Sequence, residues 1–568
     1  MKYLFVFIFS FFSLTAFSQN VATDSLIQVS SSGGLSQIDE QLFPGAVIYS
    51  GSRNNQVYVQ HKGIKMWCDR AVFYPKDNFI RIYDNVRMNQ GDTIRMSSKY
   101  AEYNGKSQFA FASGNVDMKN PGTTLKTDTL FFDRVKQQAY YRSGGTVQDT
   151  ASTLKSRIGR YFMAEKRYQF LDNVKVTNPE YTIDSDHLNF YTENGHAYMY
   201  GPSTIKGTTS TVYCERGFYD TRADEGYFIK NSKIDYNNRR VTGDSLYFNR
   251  GNAFASATNN IVVTDTINKS IIKGHYAEVY RAKDSVFITK RAVAISIQDQ
   301  DSVYIHADKL MVTGPEDDRI VRGFYDVRLF KSDLSGRCDS IITRQSTGLT
   351  KMLRKPVLWS GKSQMTGDTI HIQSDTKTER LDSLRVFYNA FIVDQDTSGG
   401  FNQIKGKELI GKFNDSSQLE VINMYKNVEN LVYSRTDDGE LIGINKGTSG
   451  RWEVVFKDSE VSTTTFYNES NDITYKPEEL PENARELRGF IWRGEDMILT
   501  KEDLFKGKPL PILTPIQGIP LPKLEEDFFD KNQKFEINEN SRLKEKDLKT
   551  RTTDTPKAIR KEKDADEK

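Results

Sequence analysis

The sequence predicts an all-β chain, an elongated β-solenoid built from tandem repeats of about thirty residues. First, one pattern recurs with a period of about thirty residues between Cys68 and Val428. Second, apolar and polar residues alternate within each copy, with Leu130 and Phe132 on one face, as in a half-buried strand. Third, no segment after Gln19 has a sustained helical period.

Each copy of the repeat begins with an acidic residue and ends near an Asn-Val step. The openings are Asp69, Asp128, Asp186, Glu215, Asp244, Asp308, Asp339 and Asp368. The closings are Asn85-Val86, Asn115-Val116, Asn173-Val174, Asn260-Ile261-Val262, Asp326-Val327 and Asn427-Val428. We interpret the acidic openings as turn caps, because Asp accepts local backbone hydrogen bonds; a repeated row of ligands is the alternative. Stacked repeats favour a long functional surface or groove over one compact pocket.

The ends of the chain differ from the repeats. Residues 1–18 have Lys2, an apolar run and small residues at Ala16 and Ser18, which predicts a cleaved secretory signal peptide. A membrane anchor is the alternative, but the run is shorter than the ~20 residues that span a bilayer. The other predicted regions are a linker (19–44), a first part of the repeats (45–180), continuing repeats (181–435), a capping region (436–510) and a Pro-rich, then charged and disordered tail (511–568).

The chain contains no recognisable catalytic or metal-binding motif. Its six histidines lack metal-ligand spacing, and nucleophile elbow, P-loop and dinucleotide fingerprints are absent. The acidic clusters at Asp299-Gln-Asp301 and Glu316-Asp-Asp318 are interpreted as solvated turns, with calcium binding as the alternative. With 78 basic and 75 acidic residues, no general affinity for polyanions such as nucleic acids is expected. The sequence therefore predicts a protein that is not an enzyme and has no cofactor or metal.

The three cysteines occupy one repeat position, directly before an acidic opening. They are Cys68, Cys214 and Cys338. Cys68 and Cys214 are separated by about five repeats, or at least ~24 Å along a stack of strands. A disulfide requires Cα atoms within about 7 Å, so we expect small buried side chains facing the interior and no bridge.

Two stretches resemble the OstA-like family of lipopolysaccharide transport. One is Met96 to Met118, with Lys99-Tyr-Ala-Glu-Tyr and Phe109-Ala-Phe-Ala-Ser-Gly-Asn-Val-Asp; the other is Asp186 to Ile234. The resemblance covers about residues 45–428 and weakens after 315. This family includes a periplasmic bridge protein and the periplasmic domain of its outer-membrane receptor. Our chain resembles an extended version, longer than a single bridge protein and without the receptor's barrel.

The resemblance implies a fold, an elongated open β-jelly roll, and a role in lipid transport. Two antiparallel sheets would face each other as a V, and the apolar groove between them would hold acyl chains of lipopolysaccharide or its lipid A. Free edge strands would join inner- and outer-membrane transport proteins or further copies end to end. The expected location is the periplasm, with association at the outer membrane as a further expectation.

The predicted function is that of a non-enzymatic periplasmic lipid-binding bridge, carrying lipopolysaccharide toward the outer membrane. The residues predicted to line the groove are Phe73, Tyr100, Leu130, Phe132, Val174, Leu188, Phe190, Phe218, Leu246 and Phe248. These apolar positions could instead close a dry core, so a structural or adhesive envelope β-solenoid is the alternative. A carbohydrate-active parallel β-helix is disfavoured, because its carboxylates would converge on one face.

Overall fold

The computed structural model describes residues 25–521, except for 32–33, 52–54, 237, 298–301, 316–317, 379, 397–398, 417, 437 and 458–459. The predicted signal peptide (1–18) and most of the predicted tail lie outside these residues. The chain divides into Met1–Gln517 and Gly518–Lys568, and the first unit contains all 36 strands. Only short 3-10 turns interrupt the strands of the described residues. The predicted all-β jelly roll is confirmed.

The strands follow one another in chain order. The first eighteen are β1 (Gln28–Ser31), β2 (Leu35–Gln37), β3 (Val47–Ser50), β4 (Val57–His61), β5 (Ile64–Cys68), β6 (Arg70–Tyr74), β7 (Phe79–Gln90), β8 (Ile94–Asn104), β9 (Phe109–Asn120), β10 (Thr123–Asp133), β11 (Gln138–Tyr141), β12 (Gly145–Gln148), β13 (Thr153–Ser156), β14 (Ile158–Phe162), β15 (Arg167–Thr177), β16 (Tyr181–Tyr191), β17 (His196–Gly207) and β18 (Ser210–Asp220). The rest are β19 (Glu225–Tyr236), β20 (Arg239–Asn249), β21 (Phe254–Asp265), β22 (Ser270–Tyr280), β23 (Ser285–Ser296), β24 (Val303–Thr313), β25 (Ile320–Lys331), β26 (Leu334–Arg344), β27 (Leu349–Leu353), β28 (Val357–Ser360), β29 (Ser363–Thr366), β30 (Thr369–Ser374), β31 (Leu381–Gln395), β32 (Phe401–Phe413), β33 (Leu419–Arg435), β34 (Leu441–Lys457), β35 (Glu460–Tyr467) and β36 (Asn471–Tyr475). The 3-10 turns are Arg281–Lys283, Gln345–Thr347, Glu482–Ala484, Gly494–Asp496 and Lys501–Phe505.

Most long strands bend at a corner near their middle, which divides the roll into two facing sheets. In β10, the register with β9 shifts between Thr127 and Thr129, and such an irregularity bends a strand. We call sheet 1 the layer that contains residues 123–127 of β10 and the half-strands paired with them in succession. Sheet 2 is the layer that contains residues 129–133 of β10 and the half-strands paired with them in succession. All pairings between described strands are antiparallel, and the apolar core lies between the two sheets.

The asparagines of the repeat lie at these corners. Asn85 and Asn260 have φ of 47° and 48°, the left-handed conformation that Asn tolerates better than most residues. Their side-chain amides donate to acidic openings on the neighbouring strand, Asn85 to Asp69 (2.5 Å) and Asn260 to Asp244 (2.9 Å). The acidic openings therefore stabilise corners between strands and are not hairpin caps, which corrects our interpretation of the sequence.

Hairpin turns are capped by other polar residues. Asp220 accepts hydrogen bonds from the backbone N–H groups of Arg222 and Ala223 at 2.8 and 3.0 Å. These turns lie at the tips of the two sheets, far from the corners in sequence, so the repeat has two kinds of bend with different chemistry. Because these local hydrogen bonds fix the turns, the residues at the tips of both sheets have defined positions.

After β36 the chain turns back instead of adding strands. Residues 476–517, which we call the strap, run across the outer face of sheet 1 in the reverse order of its strands, from β34 to β21. Four apolar strap side chains are buried: Leu480, Leu487, Ile498 and Leu504. They pack on outward residues of sheet 1 such as Val293 and Leu431, forming two clusters apart from the core between the sheets.

Side-chain amides of sheet 1 hold the strap by its backbone. Gln364 donates to the Ile491 carbonyl and accepts from the Arg493 N–H, both at 2.7 Å. Gln403 likewise bonds the Arg485 carbonyl and the Leu487 N–H, both at 2.8 Å. Both glutamines are buried, so these paired bonds satisfy groups that would otherwise cost about 1–3 kcal/mol each.

Candidate functional site between the two sheets

We call the part of the roll from β1 to β19 the first half. The inner faces of the two sheets are packed tightly there. Large side chains that point inward from sheet 2 there are almost fully buried: Tyr103, Phe132, Tyr141, Tyr168, Phe170 and Phe228. A cavity of about 10 Å³ beside Met88, Met96 and Phe132 has room for roughly one water molecule. This part of the interior therefore forms a filled core.

From β20 to β25, nine inward positions are occupied by glycine or alanine, and they lie among buried larger residues such as Leu246, Ile288 and Leu310. We call this part of the interior the small-residue section. Its inward glycines and alanines are Gly243, Ala255, Ala257, Gly274, Ala277, Ala292, Ala294, Ala307 and Gly323. Large inward residues bound it on both sides, with Phe228 before it and Met352 after it, each fully buried.

Two apolar rows remain partly exposed at the mouth of this section. In sheet 1, the row consists of residues that are paired with one another on neighbouring strands: Val241, Val263, Ile272, Ala294 and Ile305. In sheet 2, the corresponding row is Phe248, Ala255, Val279, Val286, Val312 and Val321. All of these side chains have intermediate exposure. In the first half, the positions equivalent to Val263 are Met88 and Met118, and each of these is only 3% exposed. The apolar rows are therefore buried over most of the first half, with exceptions such as Phe190 and Ile205, and are partly exposed throughout β20 to β25.

The tips of the two sheets touch each other along the mouth. In the first half these contacts are internal: the Tyr103 hydroxyl lies 2.7 Å from His61 Nδ1, and the Tyr168 hydroxyl lies 3.0 Å from Thr123 Oγ1. Burial raises the pKa of the Tyr103 and Tyr168 hydroxyls, which therefore remain protonated at neutral pH. The first half is thus closed by buried hydrogen bonds as well as by packing.

Over the small-residue section the tips meet through exposed groups. The Arg281 guanidinium lies 4.9 Å from the centre of the Tyr236 ring. The Gln345 amide donates to Asn268 Oδ1 at 3.2 Å. At the start of the section, Arg250 lies 3.6 Å from Glu180, and both of these side chains are about half exposed or more.

The side chains between the two sheets are mostly apolar, so a ligand there would be bound by apolar contacts. The described residues contain no group of three or more His, Cys, Asp or Glu side chains that could hold a metal ion. The cysteines Cys68, Cys214 and Cys338 are free and buried at corners, as predicted, and burial raises the pKa of each thiol to about 12. Over the described ranges, no helix is sufficiently long and apolar to cross a membrane.

Eight of the ten predicted groove residues point between the sheets. They are Phe73, Leu130, Phe132, Val174, Leu188, Phe190, Leu246 and Phe248. Tyr100 and Phe218 lie on the outer face of sheet 2, where they contact Tyr83 and Tyr227. The reason is the alternation of side chains: their neighbours Ala101 and Tyr219 occupy the inward positions.

A simple count along the repeat would have found the correct residues. Positions two and four after the acidic opening point inward, as Leu246 and Phe248 do after Asp244. Applied to Glu215, the count gives Gly217 and Tyr219. The predicted residue Phe218 stands three positions after Glu215, so its side chain lies on the opposite face. The partly exposed rows and the contacts between tips were not predicted, because they depend on how far apart the sheets lie.

Comparisons with known proteins give one family. Residues 46–186 match a family model described as OstA-like protein. A solved structure with similarity is LptH of Pseudomonas aeruginosa, described as the LptA-homologous periplasmic component of the conserved lipopolysaccharide transport device. The two are 17% identical, with a TM-score of 0.18, and the match covers 19% of our chain and 81% of LptH. No protein of curated function matches the sequence. The predicted family is confirmed for the matched part: residues 46–186 of this chain are an OstA-like region.

Proposed function

We propose that this protein binds acyl chains of lipopolysaccharide, or of its lipid A, between the two sheets and carries them in the periplasm without catalysis. The observation that supports this most directly is the pair of partly exposed apolar rows between β20 and β25. Water contact with apolar rows is unfavourable, and each CH₂ group of an acyl chain buried there would contribute about 0.8 kcal/mol. The OstA-like region is consistent with this role.

The dimensions of the rows suit an acyl chain. Five paired strands, from Val241 to Ile305, span roughly 20 Å at about 4.8 Å per strand. One leaflet of a bilayer has a hydrocarbon thickness of about 15 Å, half of the ~30 Å core. The acyl chain would lie against the two rows along this length, where many inward residues are smaller than Phe228 and Met352 on either side. The ligand would therefore be held in the section, with its polar part at the mouth.

A second function is favoured by the first half of the roll. Its inner faces are filled by side chains such as Phe170 and Phe228, as the alternative of an envelope scaffold requires. In our proposal the first half is the rigid extension that places the lipid-binding section at a distance from one end. Carriage and scaffolding would then belong to different parts of one stack.

The strand edges are the proposed contact sites for partner proteins. Each end of the stack has one edge strand in each sheet: β1 and β2 at one end, β36 and β35 at the other. An exposed edge offers unpaired N–H and C=O groups for strand addition. The strap runs away from β35 and β36, so it leaves this end uncovered. Transport proteins of the inner and outer membranes, or further copies of the chain, would bind at these edges.

The function is tested by filling the small-residue section. We expect Ala277→Trp and Ala294→Trp to reduce the lipopolysaccharide that copurifies with the secreted protein, because indole rings would compete with acyl chains for contact with the two apolar rows. Lys273→Trp, exposed on the outer face of β22, is the matched control and should leave the bound amount unchanged. Lipid A is quantified by mass spectrometry after extraction. Equal lipid in all variants, or none in the wild type, would refute lipid binding in this section.

A further inference from the structure

We propose that lipid enters and leaves sideways, through the mouth of the small-residue section, and that three contacts between the sheet tips act as its gate. This inference rests on the proposed function. The gate consists of the pairs Arg281–Tyr236, Gln345–Asn268 and Arg250–Glu180, each joining a tip of sheet 2 to a tip of sheet 1.

The gate differs from the mouth of the first half in its chemistry. There, His61 and Tyr103 are both 1% exposed and bonded to each other, so separating the sheets would strand buried polar groups. The side chains of Arg250 and Glu180 are 48% and 74% exposed, and water can replace their contact at little cost. The sheets can therefore separate at the gate far more easily than in the first half.

The packing behind the mouth points to the same place. Behind the gate, alanines and glycines lie among buried aliphatic residues such as Ile288 and Leu310, whereas Phe228 and Met352 lie between the sheets on either side of the section. Opening the gate would separate smaller side chains than opening the first half and would expose the two apolar rows further. A ligand with several acyl chains could pass there without travelling through the filled first half.

The strap determines which sheet moves. It crosses the outer face of sheet 1 from β34 to β21 and is bonded to buried Gln364 and Gln403. At its far end, Thr514 exchanges two hydrogen bonds with Asn259, at 2.9 and 3.0 Å. Because one segment ties many strands of sheet 1 together, the gate would open by movement of the sheet 2 tips.

A kinetic experiment tests the gate. Fluorescently labelled lipopolysaccharide is loaded on the full-length protein, and its release to excess unlabelled lipopolysaccharide is followed by stopped flow. In a variant with Arg281→Gln, Gln345→Ala and Arg250→Gln, we expect uptake and release about tenfold faster, because one cation–π contact, one hydrogen bond and one ion pair are lost. The amount bound at equilibrium should stay unchanged, since these residues lie outside the apolar rows.

A bridge across the gate gives the opposite test. Ile267→Cys, 73% exposed beside Asn268, is combined with Gln345→Cys and treated with a bismaleimide. The native cysteines are buried with raised pKa values and should not react. Bridging should slow release well below that of either single variant treated alike. Unchanged rates in both the open and the bridged proteins would overturn the gate, while absent binding in the wild type would overturn the proposed function itself.

Discussion

At the scale of single residues, four corner asparagines have two roles each: Asn85, Asn231, Asn260 and Asn389. Asn260 adopts the left-handed conformation (φ 48°) and its amide donates to Asp244 on the adjacent strand at 2.9 Å. The same arrangement links Asn231 to Glu215 at 2.6 Å. The recurring Asn-Val and acidic positions of the sequence are therefore two halves of one corner interaction.

Substitutions at Asn260 should separate the two roles. Asn260→Ala loses the hydrogen bond and strains the backbone, and we expect the free energy of unfolding to fall by about 1–2 kcal/mol. Asn260→Gly also loses the hydrogen bond, but glycine adopts the left-handed conformation without strain, so the free energy of unfolding should fall by less. Thermal unfolding of both variants measures the difference. Equal destabilisation by alanine and glycine would contradict the role of the left-handed backbone.

The cysteines give a second prediction at this scale. Burial raises the pKa of Cys68, Cys214 and Cys338 to about 12, so almost no thiolate exists at pH 8. Because the thiolate is the nucleophile, we expect no alkylation of the folded protein by iodoacetamide and three modifications after denaturation. Intact-mass spectrometry counts them. Rapid modification of the folded protein would contradict the corner packing.

The sequence predicts inward positions well wherever alternation can be counted from a fixed residue. Leu130, Leu188 and Leu246 all stand two residues after an acidic opening and are buried. The prediction is wrong at Tyr100 and Phe218, whose neighbours Ala101 and Tyr219 occupy the inward positions. Apolar character alone does not give the face, because outer faces of this roll also hold aromatic pairs.

At the scale of elements, the strap is the part that the sequence did not reveal. Its hydrogen bonds to sheet 1 connect residues 38 to 255 positions apart, such as Lys446 with Ala484 and Asn259 with Thr514. Local patterns contain no information about contacts at such separations. Proline and glycine in residues 476–517 exclude long strands and helices, but do not indicate what an extended segment covers.

Removing the amide contacts should release the strap. In the double variant Gln364→Ala with Gln403→Ala, four hydrogen bonds to the strap backbone are lost. We expect faster trypsin cleavage at Arg485, Arg488 and Arg493 while the strands remain resistant, because local opening exposes this segment first. Gln148→Ala, on the exposed face of β12, is the matched control. Cleavage at the control rate would show that apolar packing alone holds the strap.

The strap should also weaken in acid. His306 lies under the strap, with its ring 4.8 Å from that of Phe505, and burial lowers its pKa from 6.5 to about 4. Lys508 and Arg328 also lower this pKa, whereas the Ala292 carbonyl and Asp308 act in the opposite direction.

The sign of the effect follows from proton binding. A histidine with a depressed pKa binds more protons in the detached state, so strap attachment is strongest above pH 6.5 and weakens as the pH falls toward about 4. Hydrogen exchange of residues 498–506 between pH 7 and pH 4.5, corrected for intrinsic rates, measures this. In His306→Phe the dependence in that window should be smaller, and an unchanged dependence would argue against His306 as its source.

At the scale of the whole molecule, the repeats make the fold predictable from the sequence. They do not indicate that the first half and the small-residue section differ in the size of their inward side chains. Every repeat has the same alternation, so the sequence suggested one continuous groove. The interior instead changes where inward aromatics such as Phe228 give way to alanines such as Ala277, and the apolar rows beside those alanines are partly exposed. Side-chain volume at inward positions, not the repeat itself, decides whether the two sheets close on each other.

Site-specific photocrosslinking in living cells tests the central claim most directly. A photoreactive residue replaces Val263 or Val279 in the apolar rows, Met118 in the filled first half, or Val262 on the outer face of β21. We predict lipopolysaccharide adducts at positions 263 and 279 and none at 118 or 262. Adducts equally at 118 would indicate a conduit through the whole roll, and stable variants without adducts at 263 and 279 would contradict lipid carriage between the sheets.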